Sequence, residues 1–159
     1  SWQPMSYSPA TGLVYIPVNE IGFGYIPPLV AEDAQRRALG FNVAANMSEG
    51  ALPPDPGFIR AAIAATKGAL VAWDPVARKA RWRVEYPTPW NGGTLATAGN
   101  LVFQGTAQGQ FRAYAADTGK QLWALPVHSG VMAAPSAYMI KGVQYVAFTT
   151  SRGGAWDLT

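Results

Sequence analysis

The sequence contains no cysteine and few charged residues. The lack of Cys excludes a disulfide framework, a thiolate metal site, a cysteine nucleophile and a covalent c-type haem site from these 159 residues. Charged residues make up 13% of the chain against 49% hydrophobic ones, so the composition argues against disorder. No apolar run approaches the roughly 18 residues that a membrane-crossing helix needs, and we therefore predict no transmembrane segment.

Charge of one sign is also scarce. The net charge is +3, and the Lys and Arg residues are scattered, with the densest basic stretch at 78–83. Nucleic-acid binding needs a stronger basic stripe combined with groups that read or stack on bases. We therefore predict no nucleic-acid partner. His128 is the only His, and the sequence has no G-x-S-x-G turn, which argues against a Ser-His-Asp mechanism.

Gly and Pro are abundant, and the chain contains an internal repeat. The 17 Gly and 13 Pro suit many short strands joined by turns. Residues 72–84 read AWDPVARKARWRV and residues 113–125 read AYAADTGKQLWAL, which aligns Trp82 with Trp123 at a spacing of 41 residues. A period near 40 residues is typical of β-propeller blades, each a four-stranded sheet. The fold class predicted is all-β, part of a propeller, with Trp82 and Trp123 packing between blades.

The repeat divides the chain into blades and one irregular insertion. Within the last part, strands are predicted at 131–136 and 144–150, and within the insertion the apolar segment 58–66 fits either a helix or a strand. The chain lacks a starting Met and a signal peptide, so we expect its natural start to be missing. The predicted divisions are 1–17 with 67–90 as one blade, 18–66 as the insertion, 91–126 as a full blade and 127–159 as a half blade.

Several motifs, in matching order along nearly the whole chain, resemble one enzyme family. They are WQPMSYSP (2–9), TGLVYIP (11–17), LVAWDP (70–75) and WNGGTLATAGNLVFQGT (90–106). In these motifs the sequence is similar to the C-terminal part of pyrroloquinoline quinone (PQQ)-dependent alcohol dehydrogenases. The resemblance implies an eight-bladed propeller of the bacterial periplasm, with the quinone near its axis. It also implies an alcohol substrate, a cytochrome as electron acceptor, a calcium ion beside the quinone, and the remainder of the propeller as partner.

The resemblance carries over quinone contacts but no catalytic group. The calcium ligands and the catalytic Asp of the family match no position here and are expected upstream. We therefore predict neither catalytic nor metal-binding residues in this chain, and expect the isolated chain to be inactive. Ser1 stands where the family has an Asn before its Trp. The cofactor-binding residues predicted by resemblance are Trp2, Trp90, Asn91, Gly153, Gly154 and Ala155.

A physical argument supports these positions. The inner strands of a propeller point their starts toward the axial channel, where a planar anionic cofactor can lie. Small residues such as Gly92 and Gly93 would let backbone N–H groups approach its carboxylates. An indole N–H or an amide can donate to a quinone or carboxylate oxygen. From the residues alone, Trp90 fits a ligand contact and a core position equally well.

Two other functions remain open at this point. A non-catalytic propeller scaffold, of the outer-membrane assembly lipoprotein type, would share the blades with docked Trp residues. Such a scaffold has no need for WNGGTLATAGN at the axial end or for the long insertion. A sugar- or polyol-oxidising quinoprotein with the same cofactor is the second alternative, and the sequence separates it poorly from an alcohol dehydrogenase.

Overall fold

The computed structural model describes residues 3–21 and 55–151, and these residues are mainly β-structure. Two four-stranded antiparallel sheets follow chain order, β1-β2-β3-β4 and β5-β6-β7-β8, and β9 pairs with β10. The all-β prediction is confirmed. The elements are β1 Ser6–Ser8, β2 Leu13–Glu20, α1 Pro56–Ala65, β3 Lys67–Asp74, β4 Lys79–Tyr86, β5 Thr94–Thr97, β6 Leu101–Gly105, β7 Gln110–Ala115, β8 Gln121–Pro126, β9 Ser136–Ile140 and β10 Val143–Ala147.

The chain falls into two compact units, and helix α1 belongs to the one between β2 and β3, Ile21–Thr66. The helix begins at Pro56, whose fixed φ suits the first helical position. It ends where the Thr66 hydroxyl and N–H both donate to the carbonyl of Ile63. This settles the segment 58–66, which the sequence left between helix and strand. The predicted insertion differs at its start, because β2 continues to Glu20.

The 41-residue repeat is visible in the strand register. Ala72 pairs with Trp82 in the first sheet and Ala113 with Trp123 in the second, and a bulge follows each pair on the same side. A bulge changes the direction of the side chain beside it. Because the pair and the bulge recur together, Trp82 and Trp123 occupy equivalent positions in their sheets. The two four-stranded sheets are therefore two copies of one structural unit. The division into blades at the residue numbers given above stays a prediction.

The core lies between the two four-stranded sheets. Tyr15 and Tyr114 are both completely buried there, and the Tyr15 hydroxyl donates to the carbonyl of Ala116 at 3.0 Å. The Trp82 indole N–H donates to the same carbonyl at 3.0 Å. Its ring lies against Gly119, where an added Cβ would come within 2.7 Å of the indole. The prediction that Trp82 packs between sheets is confirmed, whereas the same role for Trp123, 46% exposed, stays a prediction.

The predicted strand 131–136 is wrong. Strand β9 begins only at Ser136, and the residues before it belong to the packing of the second sheet. Val131 is completely buried, its N–H donates to the carbonyl of Thr106 at 3.0 Å, and its side chain fills the space above Gly105. The apolar pattern that indicated a strand reflects this anchoring, which a single sequence does not distinguish from strand burial.

Candidate functional site

The starts of the first strands of the sheets lie side by side. The Thr94 N–H donates to the carbonyl of Pro4 at 3.0 Å, and the Thr94 and Ser6 hydroxyls are 2.8 Å apart. Gly93 fits between Pro4 and Ala134, which comes just before β9. Three leading segments therefore converge around Gly93, as expected for inner strands that surround a common axis.

Trp90 ends the loop that leads to this convergence, and its backbone is unusual. Its φ is 63°, in the left-handed region that a bulky residue rarely adopts. The Trp90 N–H donates to Oδ1 of Asn19 at 2.9 Å, and the side chain is partly buried. Strained backbone held by its surroundings is concentrated at ligand sites. Of the two predicted site residues that the structure describes, Trp90 and Asn91, Trp90 has the geometry that better fits a ligand contact.

Asn91 is buried and is held by the backbone. Its Nδ2 donates to the carbonyl of Thr88 at 2.8 Å, and its Oδ1 accepts from the N–H of Ala107 at 3.2 Å. With an exposure of 2%, the amide ties the loop to the second sheet. A quinone contact of Asn91 stays a prediction, and its side chain already has a structural role.

The remaining predicted site residues lie outside the described part of the chain. They are Trp2, Gly153, Gly154 and Ala155. Their contacts with a cofactor stay predictions.

The glycines of this segment are explained by packing. An added Cβ would lie 2.6 Å from the carbonyl oxygen of Val131 at Gly92. At Gly93 it would lie 2.7 Å from the Cβ of Ala134 and 2.9 Å from Pro4. Contacts below 3.0 Å force a shift of the backbone, so glycine is needed where the leading segments meet. Both glycines thus have a packing reason within the protein, and the approach of a cofactor to their backbone stays a prediction.

A polar pair that the sequence analysis missed lies beside Trp90. Besides accepting from Trp90, Asn19 donates through Nδ2 to Oε1 of Gln3 at 3.5 Å. Both side chains line a shallow cleft of about 170 Å³, together with Met5, Ile16, Pro17 and Val18. The alternation of Leu13, Tyr15, Pro17 and Asn19 on one strand face could have revealed Asn19, but the predicted insertion began at residue 18.

A buried chain of hydrogen bonds supports the same loop from the other side. The Tyr86 hydroxyl donates to Oε1 of Gln104 at 2.9 Å and lies 2.8 Å from the Tyr114 hydroxyl. Gln104 in turn donates through Nε2 to the carbonyl of Gly92 at 2.7 Å. Burial, followed by the neighbouring Tyr114, raises the pKa of Tyr86, and Arg112 opposes the rise. The network thus favours a neutral phenol.

We expect this network to make stability fall in strong alkali. The pKa of Tyr86 is raised above the ordinary 10.0, so its stabilisation is complete below pH 10. Above that pH the unfolded state releases a proton that the folded state keeps, which lowers the free energy of unfolding by up to about 1.4 kcal/mol per pH unit. Urea unfolding at pH 9 and pH 11 measures the decrease. Tyr86→Phe is expected to reduce it, and the exposed Tyr7→Phe to retain it; an equal decrease in both variants would contradict the assignment.

The residues around Trp90 fit one wall of a site for a planar ligand rich in oxygen. Thr88, two residues before Trp90, has a buried hydroxyl without a hydrogen-bond partner among the described residues, and a buried group of this kind is often paired by a ligand or a water. Its hydroxyl and the Trp90 indole N–H are neutral donors that suit quinone or carboxylate oxygens.

In residues 3–21 and 55–151 no three His, Asp or Glu side chains gather into a possible metal site. Within the same ranges, no helix has the length and apolar character to span a bilayer.

Comparison with known proteins points to one group of enzymes. The chain is 48% identical over 159 residues to the quinohemoprotein alcohol dehydrogenase ADH IIB of Pseudomonas putida, covering 100% of this chain and 21% of that protein. It is 41% identical to the 1-butanol dehydrogenase (cytochrome c) of Thauera butanivorans, over 98% of this chain and 22% of that protein. The chain thus spans about a fifth of the length of these relatives.

A solved structure agrees with the sequence comparisons. The quinohemoprotein alcohol dehydrogenase ADHIIG of Pseudomonas putida HK5 superposes with a TM-score of 0.81 at 46% identity, covering 98% of this chain and 22% of that one. The family model for the glucose/ethanol/alcohol dehydrogenase β-propeller domain with PQQ matches residues 61–146, more than half of the chain. The chain therefore belongs to the PQQ-dependent glucose/ethanol/alcohol dehydrogenase β-propeller family.

Proposed function

We propose that this chain is part of a PQQ-dependent alcohol dehydrogenase and that Trp90 contacts the quinone in it. Similar proteins are named as quinohemoprotein and 1-butanol dehydrogenases, which supports an alcohol as substrate. The activity is proposed for the whole protein, because the chain spans only 21% of its relatives' length. PQQ, when bound, supplies the acceptor for the two electrons removed from the alcohol.

The observation that carries the proposal is the left-handed Trp90 at the converging strand starts. In this proposal its indole N–H donates to an oxygen of the cofactor, and its ring excludes water from the cofactor edge. The Thr88 hydroxyl, buried in the same loop and without a partner in the described part of the chain, is a second donor. The role of this chain is to bind and orient the cofactor. None of its described residues is assigned as an acid, a base or a metal ligand.

The other components of the reaction are proposed from the family. Calcium is the second cofactor, bound by residues other than those described. A cytochrome is the electron acceptor, as the name of the Thauera relative indicates for that enzyme. The periplasm is the proposed compartment, and the remainder of a propeller is the proposed structural partner of these sheets.

A sugar- or polyol-oxidising quinoprotein is the second candidate. It is retained because the matching family includes glucose dehydrogenases. Turnover of the whole enzyme with 1-butanol, ethanol and glucose, measured with a cytochrome or an artificial electron acceptor, separates the two. The proposal requires a higher kcat/KM for the alcohols, and preference for glucose would contradict it. The family match argues against a non-catalytic scaffold, and any PQQ-dependent turnover would exclude it.

The Trp90 contact is tested by quinone binding to the whole enzyme. Trp90→Ala removes the indole N–H and its apolar surface, so we expect the Kd for PQQ to rise about tenfold. Trp90→Phe removes the N–H and keeps an aromatic ring, and we expect a rise of about threefold. Titration of the apoenzyme with PQQ and calcium, followed by the absorbance of the bound quinone, gives both values.

Trp73→Phe is the matched control for this experiment. Gly68, at the beginning of β3, packs against the loop of Trp90, whereas Trp73 lies near the other end of this strand. Trp73 is 36% exposed. The control is expected to leave PQQ binding unchanged. If Trp90→Ala also binds PQQ like the wild type, Trp90 is not part of the site.

A further inference from the structure

We infer that Asn19 is a positioning residue for Trp90. Its amide oxygen accepts the Trp90 N–H at 2.9 Å and thereby holds the loop in the conformation that directs the indole toward the cofactor. The inference rests on the proposed quinone contact of Trp90. It adds to that contact a residue from another part of the chain, 71 positions earlier.

Asn19 is placed for this role by the alternation of strand β2. Leu13, Tyr15 and Pro17 are buried on the face that meets the second sheet, and Asn19 is the next residue on that face. The backbone carbonyl of Tyr15, on the same strand, accepts from the Thr94 hydroxyl at 3.2 Å. Strand β2 is thus attached at Tyr15 to the start of β5, independently of the contact that Asn19 makes. A polar side chain at this point reaches the loop without distortion of the strand.

The loop is attached to the second sheet independently of Asn19. Asn91 binds the backbone of Thr88 and of Ala107, and Gln104 binds the carbonyl of Gly92. These contacts surround Trp90 but do not include its N–H. Asn19 gives that N–H a partner on β2, in the first sheet. Without it we expect the loop to remain attached and Trp90 to relax from its φ of 63° toward more common conformations.

The orientation of the Asn19 amide is consistent with the assignment. Nδ2 of Asn19 donates to Oε1 of Gln3 at 3.5 Å, which leaves Oδ1 toward the Trp90 N–H. Gln3 precedes β1, whose start belongs to the converging segments. Polar contacts therefore link Gln3 through Asn19 to the backbone of Trp90.

The test is a double-mutant cycle in the whole enzyme with the Kd for PQQ as its readout. Asn19→Leu has a similar size and no acceptor, and we expect it to raise the Kd about three- to tenfold. In the Trp90→Ala background the same substitution is expected to change the Kd less than twofold, because Asn19 then has no indole to direct. A general loss of stability would act in both backgrounds, so the cycle separates positioning from a structural role.

A second variant and the melting temperature keep the test decisive. Asn19→Gln keeps a neutral amide with an acceptor oxygen, so it should bind PQQ more tightly than Asn19→Leu at equal melting temperature. If Asn19→Leu fails to fold, Asn19→Ala replaces it in the cycle. Equal weakening of PQQ binding in both backgrounds, or none in either, overturns the inference. An unchanged Kd in Trp90→Ala alone instead overturns the proposed quinone contact, so the two failures are distinguishable.

Discussion

Replacing Trp82 with alanine is expected to lower the free energy of unfolding of this chain by about 3 kcal/mol. The indole is partly buried against the core between the two four-stranded sheets and contacts the Tyr15 ring at a centroid distance of 5.7 Å. It also covers Gly119 and donates to the carbonyl of Ala116. That carbonyl keeps the hydroxyl of Tyr15 as a donor, so the expected loss comes mainly from the cavity. Thermal unfolding should show a decrease of about 6–12 °C.

Trp123→Ala is the matched control for Trp82→Ala. The two Trp residues occupy the same position in their sheets, next to the same bulge, but Trp123 is 46% exposed and contacts Phe111 edge to face. We expect Trp123→Ala to lower the free energy of unfolding by about 1 kcal/mol or less. Equal destabilisation by the two substitutions would show that packing between the sheets is not what makes Trp82 important.

Gly105→Ala is expected to destabilise the chain by about 3 kcal/mol for the opposite reason, overpacking. An added Cβ would lie 2.2 Å from Cγ1 of Val131 and 2.5 Å from its carbonyl oxygen. Val131 is completely buried and anchored to Thr106, so it cannot move away at little cost. Chemical denaturation gives the free energy of unfolding, and the midpoint should fall without a change in slope.

Gly99→Ala provides the comparison for Gly105→Ala. Gly99 lies in the turn before β6, its φ is outside the left-handed region, and an added Cβ would meet only Oγ1 of Thr97 at 3.9 Å. The free energy of unfolding of the Gly99→Ala variant should therefore stay within about 0.5 kcal/mol of the wild-type value. If Gly105→Ala were equally well tolerated, the packing of Val131 above β6 would have to be looser than the structure shows.

The fold was predictable wherever a local pattern repeats. The Trp residues at 82 and 123 recur with the strands and the turn around them, and a repeat of that period has few structural solutions. The prediction was wrong before β9, where burial of Val131 by a neighbouring sheet imitates a strand. It was incomplete at β2, where Val18, Asn19 and Glu20 were assigned to the insertion, because the polar Asn19 and Glu20 end the apolar alternation.

The candidate site was predictable in part. Trp90 followed from the family resemblance, and its left-handed backbone now adds a physical reason for considering it. The amide of Asn91 turned out to serve the loop itself, and Asn19 was not anticipated. Contacts between a strand and a loop 71 residues apart leave no periodic trace in a single sequence, so reasoning by pattern does not find them.

Repeated antiparallel sheets of a propeller could be read from the sequence alone, because strand alternation, turn residues and the 41-residue period are local properties of the chain. The quinoprotein family followed from the resemblance of its motifs. Which polar groups bind each other across the sheets became visible in the folded chain alone. Folding brought the carbonyl of Ala116 to both Tyr15 and Trp82, and the amide of Asn19 to Trp90. Such pairings depend on how separate sheets pack, since buried polar groups must find partners wherever the packing places them.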